Sequence, residues 1–250
     1  MEVIYVGGDI VSENRLNKII QDSKKLVFFG GAGVSTESGI PDFRSSTGIY
    51  SEKNIYPPEQ IVSHSFFLQH TEEFYDFYKN KMIFLDAKPN KAHLKLAQLE
   101  ASGILTAVIT QNIDGLHQIA GSKNVLELHG SIHRNYCQHC HRFYDAAYVK
   151  HALGIPKCEC GGIIKPDVVL YEEGLDQKII SQSIQAISQA DTLIIGGTSL
   201  VVYPAASFID YFQGKNLIVI NKTATPRDDQ GTLCLHGAIG EILGGVPDGK

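Results

Sequence analysis

A chain of 250 residues, 43% of them hydrophobic and 20% charged, can bury one sizeable core with a small appended module. Its formal net charge of −5 supplies no basic field for nucleic acid or for an anionic membrane surface. No apolar run approaches the roughly 20 residues that span a bilayer, and residues 1–6 lack the basic and long apolar regions of a secretory signal, so the expected compartment is the cytoplasm.

Short β-branched apolar runs alternate with helical patterns along the chain. A helical spacing over 16–22 leads into the run 26–29, and one over 91–102 leads into 105–110; the run 124–128 follows. Helical spacing over 177–189 leads into 192–196, and 216–220 closes the series. Buried runs joined by crossover helices predict an α/β fold, a doubly wound parallel sheet (Rossmann-like), with its ligand at the carboxyl ends of the strands. Two stretches break the rhythm. Residues 51–90 are aromatic-rich and helical, with Phe66, Phe67, Phe74, Tyr75, Phe77 and Tyr78, and residues 132–167 hold four of the five cysteines among few apolar residues. Both predict insertions that build a smaller lobe, a helical insertion and a zinc ribbon, leaving 1–50, 91–131 and 168–250 to the nucleotide-binding domain.

The run at 26–29 ends in Gly30, Gly31 and Gly33, followed by Ser35 and Thr36, a pair suited to capping a helix. Strand, glycine turn and helix N-terminus together expose backbone N–H groups that suit a diphosphate. The loop then carries an acid, an aromatic face and a cation at Asp42, Phe43 and Arg44, more than the cradling of a phosphate requires.

Cys137 and Cys140, then Cys158 and Cys160, form two close pairs seventeen residues apart, the spacing of a structural zinc site with four thiolate ligands. The surrounding segment is too polar to pack a core, where a metal supplies folding energy. One residue within the second pair makes a tight chelate loop that Gly161 and Gly162 relieve. His139 and His141 read as solvated neighbours, and Cys234 as a small buried hydrophobe.

Two further strand ends turn polar. After residues 105–110 come Gln111, Asn112, Ile113 and Asp114; after 124–128 comes His129 with Gly130. His129, titrating near neutrality, is the candidate general base. Glu127 reads as a surface or salt-bridge residue and His117 as structural. Gly196-Gly197-Thr198-Ser199 repeats the strand, glycine and hydroxyl pattern, and Asn221 ends a strand where it can meet a ribose hydroxyl.

Taken together, Gly31-Ala32-Gly33-Val34-Ser35, Gly39-Ile40-Pro41-Asp42-Phe43-Arg44, Thr110-Gln111-Asn112-Ile113-Asp114-Gly115, Leu128-His129-Gly130, the cysteine pairs and Gly197-Thr198-Ser199-Leu200 resemble the sirtuin family of bacterial type over residues 15–243. The resemblance implies NAD-dependent removal of acyl groups from lysines of proteins or peptides, with NAD consumed as co-substrate, nicotinamide released and one structural zinc ion. It implies that Ala32, Thr36, Phe43 and Arg44 line the phosphate and nicotinamide end. Gln111 and Asn112 lie by the nicotinamide ribose, and Ile113 and Asp114 hold the carboxamide. Thr198, Ser199, Asn221 and Ile239 serve the adenosine half. His129 becomes the catalytic base toward the ribose hydroxyls, with Asn112 beside it.

Departures from the family pattern bear on substrate choice. Tyr171-Glu172-Glu173 stands where Phe-Gly-Glu is frequent, and there an extended substrate pairs with backbone in the family. Glutamate in place of glycine leaves that backbone available and favours flanking Lys or Arg. Tyr78 and Lys81 occupy the places of a Tyr-x-x-Arg pair found in members preferring acidic acyl groups, but lysine does not grip a carboxylate in a fork. Aromatic packing of Tyr78 with an exposed Lys81 is the expected arrangement, so acetyl-lysine is the expected substrate. Protein ADP-ribosyl transfer and a non-catalytic NAD-binding module are the competing readings. The oligomeric state stays open and is compatible with a monomer.

Overall fold

The computed structural model describes residues 10–43, 48–49 and 56–247. In chain order it begins with α1 (Ile10–Asp22), β1 (Leu26–Gly30), α2 (Pro58–Ile61), α3 (His64–Gln69), α4 (Thr71–Lys81), α5 (Lys91–Ala101), β2 (Leu105–Thr110), α6 (Leu116–Ala120) and β3 (Val125–Glu127). There follow β4 (Gly130–Cys137), β5 (Phe143–Tyr144), α7 (Ala146–His151), β6 (Ile164–Val168), α8 (Gln177–Gln189), β7 (Thr192–Gly196), β8 (Asn216–Asn221), β9 (Leu233–His236) and α9 (Ile239–Gly244).

Every residue of β1 and β7 is buried, which is why these segments read as continuous apolar runs rather than alternating ones. They lie at the centre of a parallel sheet of order β3-β2-β1-β7-β8-β9. This is the 3-2-1-4-5-6 order of dinucleotide-binding folds, and the direction of winding reverses between β1 and β7. The crevice beyond their carboxyl ends is therefore the place for a ligand. Local chemistry starts the crossover helices: Asp176 accepts from the amides of Lys178 and Ile179 at the head of α8, and Asn90 forms a capping box with His93 on α5. The edge strand β9 is absent from the sequence expectation. It has four residues, one of them Cys234, and too few β-branched side chains to signal a strand.

A second, antiparallel sheet of order β5-β4-β6 stands apart from the first. Its inner face and the helices α2–α4 share one apolar core, in which Phe67, Phe74, Tyr75 and Tyr78 meet Ile132, Val149, Ile164 and Val168. The expectation that the cysteine segment is too polar to pack a core is thus corrected. Ile132, Ala146, Val149 and Ile164 of this segment complete the core of the helical insertion, while Phe143 and Leu153 stay exposed. No helix among the described residues is long and apolar enough to cross a membrane.

Between α5 and α6 two histidine rings are buried against each other, His93 and His117, tilted by 59° with centroids 4.7 Å apart. His93 Nε2 and both ring nitrogens of His117 lack a hydrogen-bond partner among the described residues. Burial lowers the pKa of His93 from 6.5 to about 4, against the opposing pull of the Asp114 carboxylate, and that of His117 to about 3. Each histidine binds its proton more readily unfolded than folded, so stability falls as pH drops below 6.5, toward about 4 for His93 and about 3 for His117. Thermal melting followed by circular dichroism should show a midpoint that drops through this window, and His117→Leu should make that drop shallower. An unchanged slope in the variant would contradict the assignment.

Candidate active site

A cavity of about 640 Å³ lies at the carboxyl ends of the central strands and extends to the smaller sheet. Ala32, Thr36, Phe43, Gln111, Asn112, Ile113, Asp114, His129, Thr198, Ser199, Asn221 and Ile239 all line it. Arg44 lies outside the described residues.

The glycine loop does not lead into an α-helix as expected. Two single 3-10 turns, Ala32–Val34 and Thr36–Ser38, follow β1, and Ser35 makes no side-chain cap. Gly39 at φ 82° and Pro41 two residues on stop any longer helix. The glycines also serve each other. Gly33 N–H donates to Gly197 O at 2.8 Å, and a Cβ on Gly33 would stand 2.8 Å from Gly197 Cα. Gly197, at φ 58°, would put a Cβ 2.3 Å from Val34 N. Close approach of the loops after β1 and β7 thus requires glycine on both, and Ala32 and Thr36 are left at the cavity.

Ser35 is the hub that the helix expectation misjudged. Its Oγ donates to Asp114 Oδ2 at 2.6 Å and accepts from Asn112 Nδ2 at 3.1 Å. The other Asp114 oxygen accepts from Leu116 N–H at 2.9 Å. Gln111 Nε2 donates to Thr198 Oγ1 at 3.1 Å, tying the end of β2 to the loop after β7.

His129 follows β3, with Nδ1 3.0 Å from Gln111 O. A carbonyl only accepts, so Nδ1 carries the proton and the Nε2 lone pair of the neutral ring remains available. Burial lowers the His129 pKa, partly opposed by the Gln111 hydrogen bond, so the ring stays neutral at neutral pH. Gly130 turns the chain at φ 75°, and a Cβ there would lie 2.0 Å from Asp167 O. Glu127 pairs with Arg134 at 2.7 Å, and Arg134 bridges on to Asp167 at 2.7 Å. At the far end, Asn221 closes β8 and Ile239 opens α9.

The outer wall of the cavity comes from residues the sequence did not single out, among them Ile49, Val62, Met82, Phe84 and Leu170. Apolar side chains carry no signal in the sequence that separates cavity wall from core. Tyr78 is fully buried and stacked on Phe74, outside the cavity lining, whereas Lys81 is half-buried and lines it rather than standing exposed. The expected availability of backbone beside Glu172 is corrected at Tyr171, whose N–H donates to Val62 O and whose carbonyl accepts from His64 N–H, both at 3.0 Å.

On the smaller sheet the four expected thiols converge. Sγ atoms of Cys137, Cys140, Cys158 and Cys160 all lie within 4.8 Å of one another, with Cys137–Cys160 and Cys140–Cys158 at 3.5 Å. That is far beyond a disulfide bond and close to the roughly 3.8 Å edge of a tetrahedron whose Zn–S bonds are about 2.3 Å. The donor set therefore fits zinc. Gly161 at φ 84° permits the tight second loop, and a Cβ on Gly162 would lie 2.6 Å from Cys137 Sγ. His139 and His141 are exposed and outside the cluster.

These features have close counterparts. Residues 31–204 match the Sir2 family model. A protein of Clostridium acetobutylicum named NAD-dependent protein deacetylase is 63% identical over 92% of this chain and 96% of its own length. A solved Sir2 protein with a deacetylated p53 peptide and 3′-O-acetyl-ADP-ribose superposes with a TM-score of 0.87, at 38% identity, over 94% of this chain and all of that one. A Sir2 complex with p53 peptide and NAD+ superposes with a TM-score of 0.81, at 41% identity, over 92% and 94% of the two chains. A match of this extent, on a chain with this strand order and four converging thiols, leaves one conclusion: the chain belongs to the Sir2 family.

Proposed function

We propose that this chain is an NAD-dependent protein-lysine deacetylase, moving the acetyl group of acetyl-lysine onto ADP-ribose with release of nicotinamide and O-acetyl-ADP-ribose. The observation that carries this reading is a partly buried His129, its Nδ1 proton committed to Gln111 O and its pKa lowered by desolvation, on a cavity shared with Asn112, Asp114 and Thr198. The names of the relatives point the same way. When bound, NAD supplies the ribose carbon that nicotinamide leaves and the ADP-ribose that accepts the acetyl group.

In this reading Asn112 and Gln111 orient the nicotinamide ribose, while Ile113 and Asp114 hold the carboxamide. The Ser35 hydroxyl fixes Asn112 and Asp114 relative to each other. Phe43 covers the side from which nicotinamide departs, and Ala32 and Thr36 line the phosphate and nicotinamide end, a role the family resemblance also gives Arg44. Thr198, Ser199, Asn221 and Ile239 take the adenosine half. His129 Nε2 accepts a proton from a ribose hydroxyl, and the Gln111 carbonyl stabilises the ring once it is charged. The four cysteines hold a structural zinc with no open position for water. Residues 1–50, 91–131 and 168–250 build the nucleotide side, with 51–90 and 132–167 as the smaller lobe. Tyr78 is buried outside the cavity that Lys81 lines, and a lysine does not grip a carboxylate in a fork, which together favour acetyl over acidic acyl groups. Protein or peptide acyl-lysines are the partners, without nucleic acid or membrane, and reduced thiols suit the cytoplasm.

Mass spectrometry of a reaction with NAD and an acetyl-lysine peptide should find nicotinamide and O-acetyl-ADP-ribose. A peptide or protein gaining ADP-ribose instead would favour ADP-ribosyl transfer. His129→Ala should lower acetyl transfer by about a hundredfold or more. Because the lowered pKa keeps His129 basic in mild acid, the acid limb of kcat/KM should lie below pH 6.5; a limb above that value would contradict the burial argument. Metal analysis should find about one zinc per chain, and strong chelation should lower the melting temperature. A metal-free chain that melts unchanged would remove the zinc assignment.

A further inference from the structure

The turn that follows β6 holds an L side chain where glycine is favoured. Glu173 N–H donates to Leu170 O at 3.0 Å, closing a turn whose third residue, Glu172, has φ 76°. The conformation is costly for glutamate, yet its carboxylate is well used. One oxygen accepts from Ser65 N–H at 2.8 Å and the other from Ser65 Oγ at 2.9 Å, at the start of α3. Glu173 grips the same region from the other side, meeting His64 Nδ1 at 2.8 Å, Lys165 Nζ at 3.1 Å and Leu170 N–H at 2.9 Å.

The segment held in this way is the outer wall of the cavity. Val169 N–H donates to His129 O at 3.0 Å, and Tyr171 forms a bridge to Ser63, so the three residues 169–171 connect the histidine backbone to the helical insertion. It continues β6, an edge strand of the smaller sheet, and Val168, Val169 and Leu170 line the cavity. Leu170 and Tyr171 spend their backbone groups on Glu173, Val62 and His64, so the edge an extended peptide can use as a template is the end of β6 at 167–168, which the wall continues beside the cavity. Such a template discriminates only if it is held at a fixed distance from the reacting groups.

We propose that Glu172 is a positioning residue for the acyl-lysine peptide: its carboxylate clamps the wall 169–173 to Ser65 and thereby sets the peptide-binding edge against His129. The clamp, not the charge presented to solvent, is the role of this glutamate. This inference rests on the deacetylase reading and deepens it.

Steady-state kinetics with an acetyl-lysine peptide test it in the full chain, comparing wild type with Glu172→Ala, Glu172→Gly, Glu172→Gln and Ser65→Ala. Glu172→Ala and Glu172→Gly should each raise the peptide KM about tenfold, with kcat and the NAD KM within about twofold of wild type. Glu172→Gln, which still accepts from Ser65, should stay within about threefold of wild type, and Ser65→Ala should raise the peptide KM while Glu172 is untouched. The glycine variant separates clamp from turn, because it relieves the backbone and removes only the carboxylate. A Glu172→Gly enzyme with the wild-type peptide KM overturns the clamp, as does a parallel rise in the NAD KM. A wild-type chain without peptide-dependent turnover overturns the deacetylase reading and this inference with it; unchanged KM values in an active enzyme overturn the clamp alone.

Discussion

One hydroxyl organises the candidate site. Ser35 Oγ stands between Asn112 Nδ2 and Asp114 Oδ2, accepting from one and donating to the other. It comes from the loop after β1, whereas both partners come from the loop after β2, so the bond ties two strand ends into one surface. Within a low-dielectric crevice such a chain of hydrogen bonds is stiff, and removing any member strands a buried polar group. The interlocked glycines at 33 and 197 bring the loop after β7 to the same place, and Gln111 closes the ring through Thr198. His129 then needs only its bond to Gln111 O to be oriented toward the cavity those groups share.

The second constraint is mechanical. The three-stranded sheet and α2–α4 could not bury their apolar faces separately, and they share one core. The thiol cluster sits at the far end of that core, where Cys137 and Cys158 are themselves buried among its members. A metal held there would stiffen the sheet whose edge strand, β6, runs back to the cavity. The thiol cluster and the candidate peptide wall are thus connected through β4 and β6.

Much of this was legible in the chain. The five apolar runs mark β1, β2, β3, β7 and β8 to within a residue or so, because parallel strands buried on both faces leave long apolar signatures. The cysteine spacing marks the thiol cluster, since chelate loops leave little freedom. Polar residues directly after apolar runs mark the cavity, because strand ends in a doubly wound sheet face one crevice. Other features were not legible. Ser35 has the identity of a helix cap, and only the position of Asp114, far along the chain, diverts its hydroxyl. β9 is too short for periodicity, and the apolar cavity wall has the composition of a core. The conformation of Glu172 depends on Ser65, which lies 107 residues earlier in sequence.

The proposed chemistry requires Asn112, Asp114 and His129, which line one cavity, to meet the sugar next to nicotinamide. A crystal structure of the chain with NAD and an acetyl-lysine peptide measures it directly. The expected result is a ribose hydroxyl within hydrogen-bond distance of His129 Nε2 and the carboxamide against Asp114. A ribose bound away from the imidazole, beyond the reach of one bridging water, would contradict it.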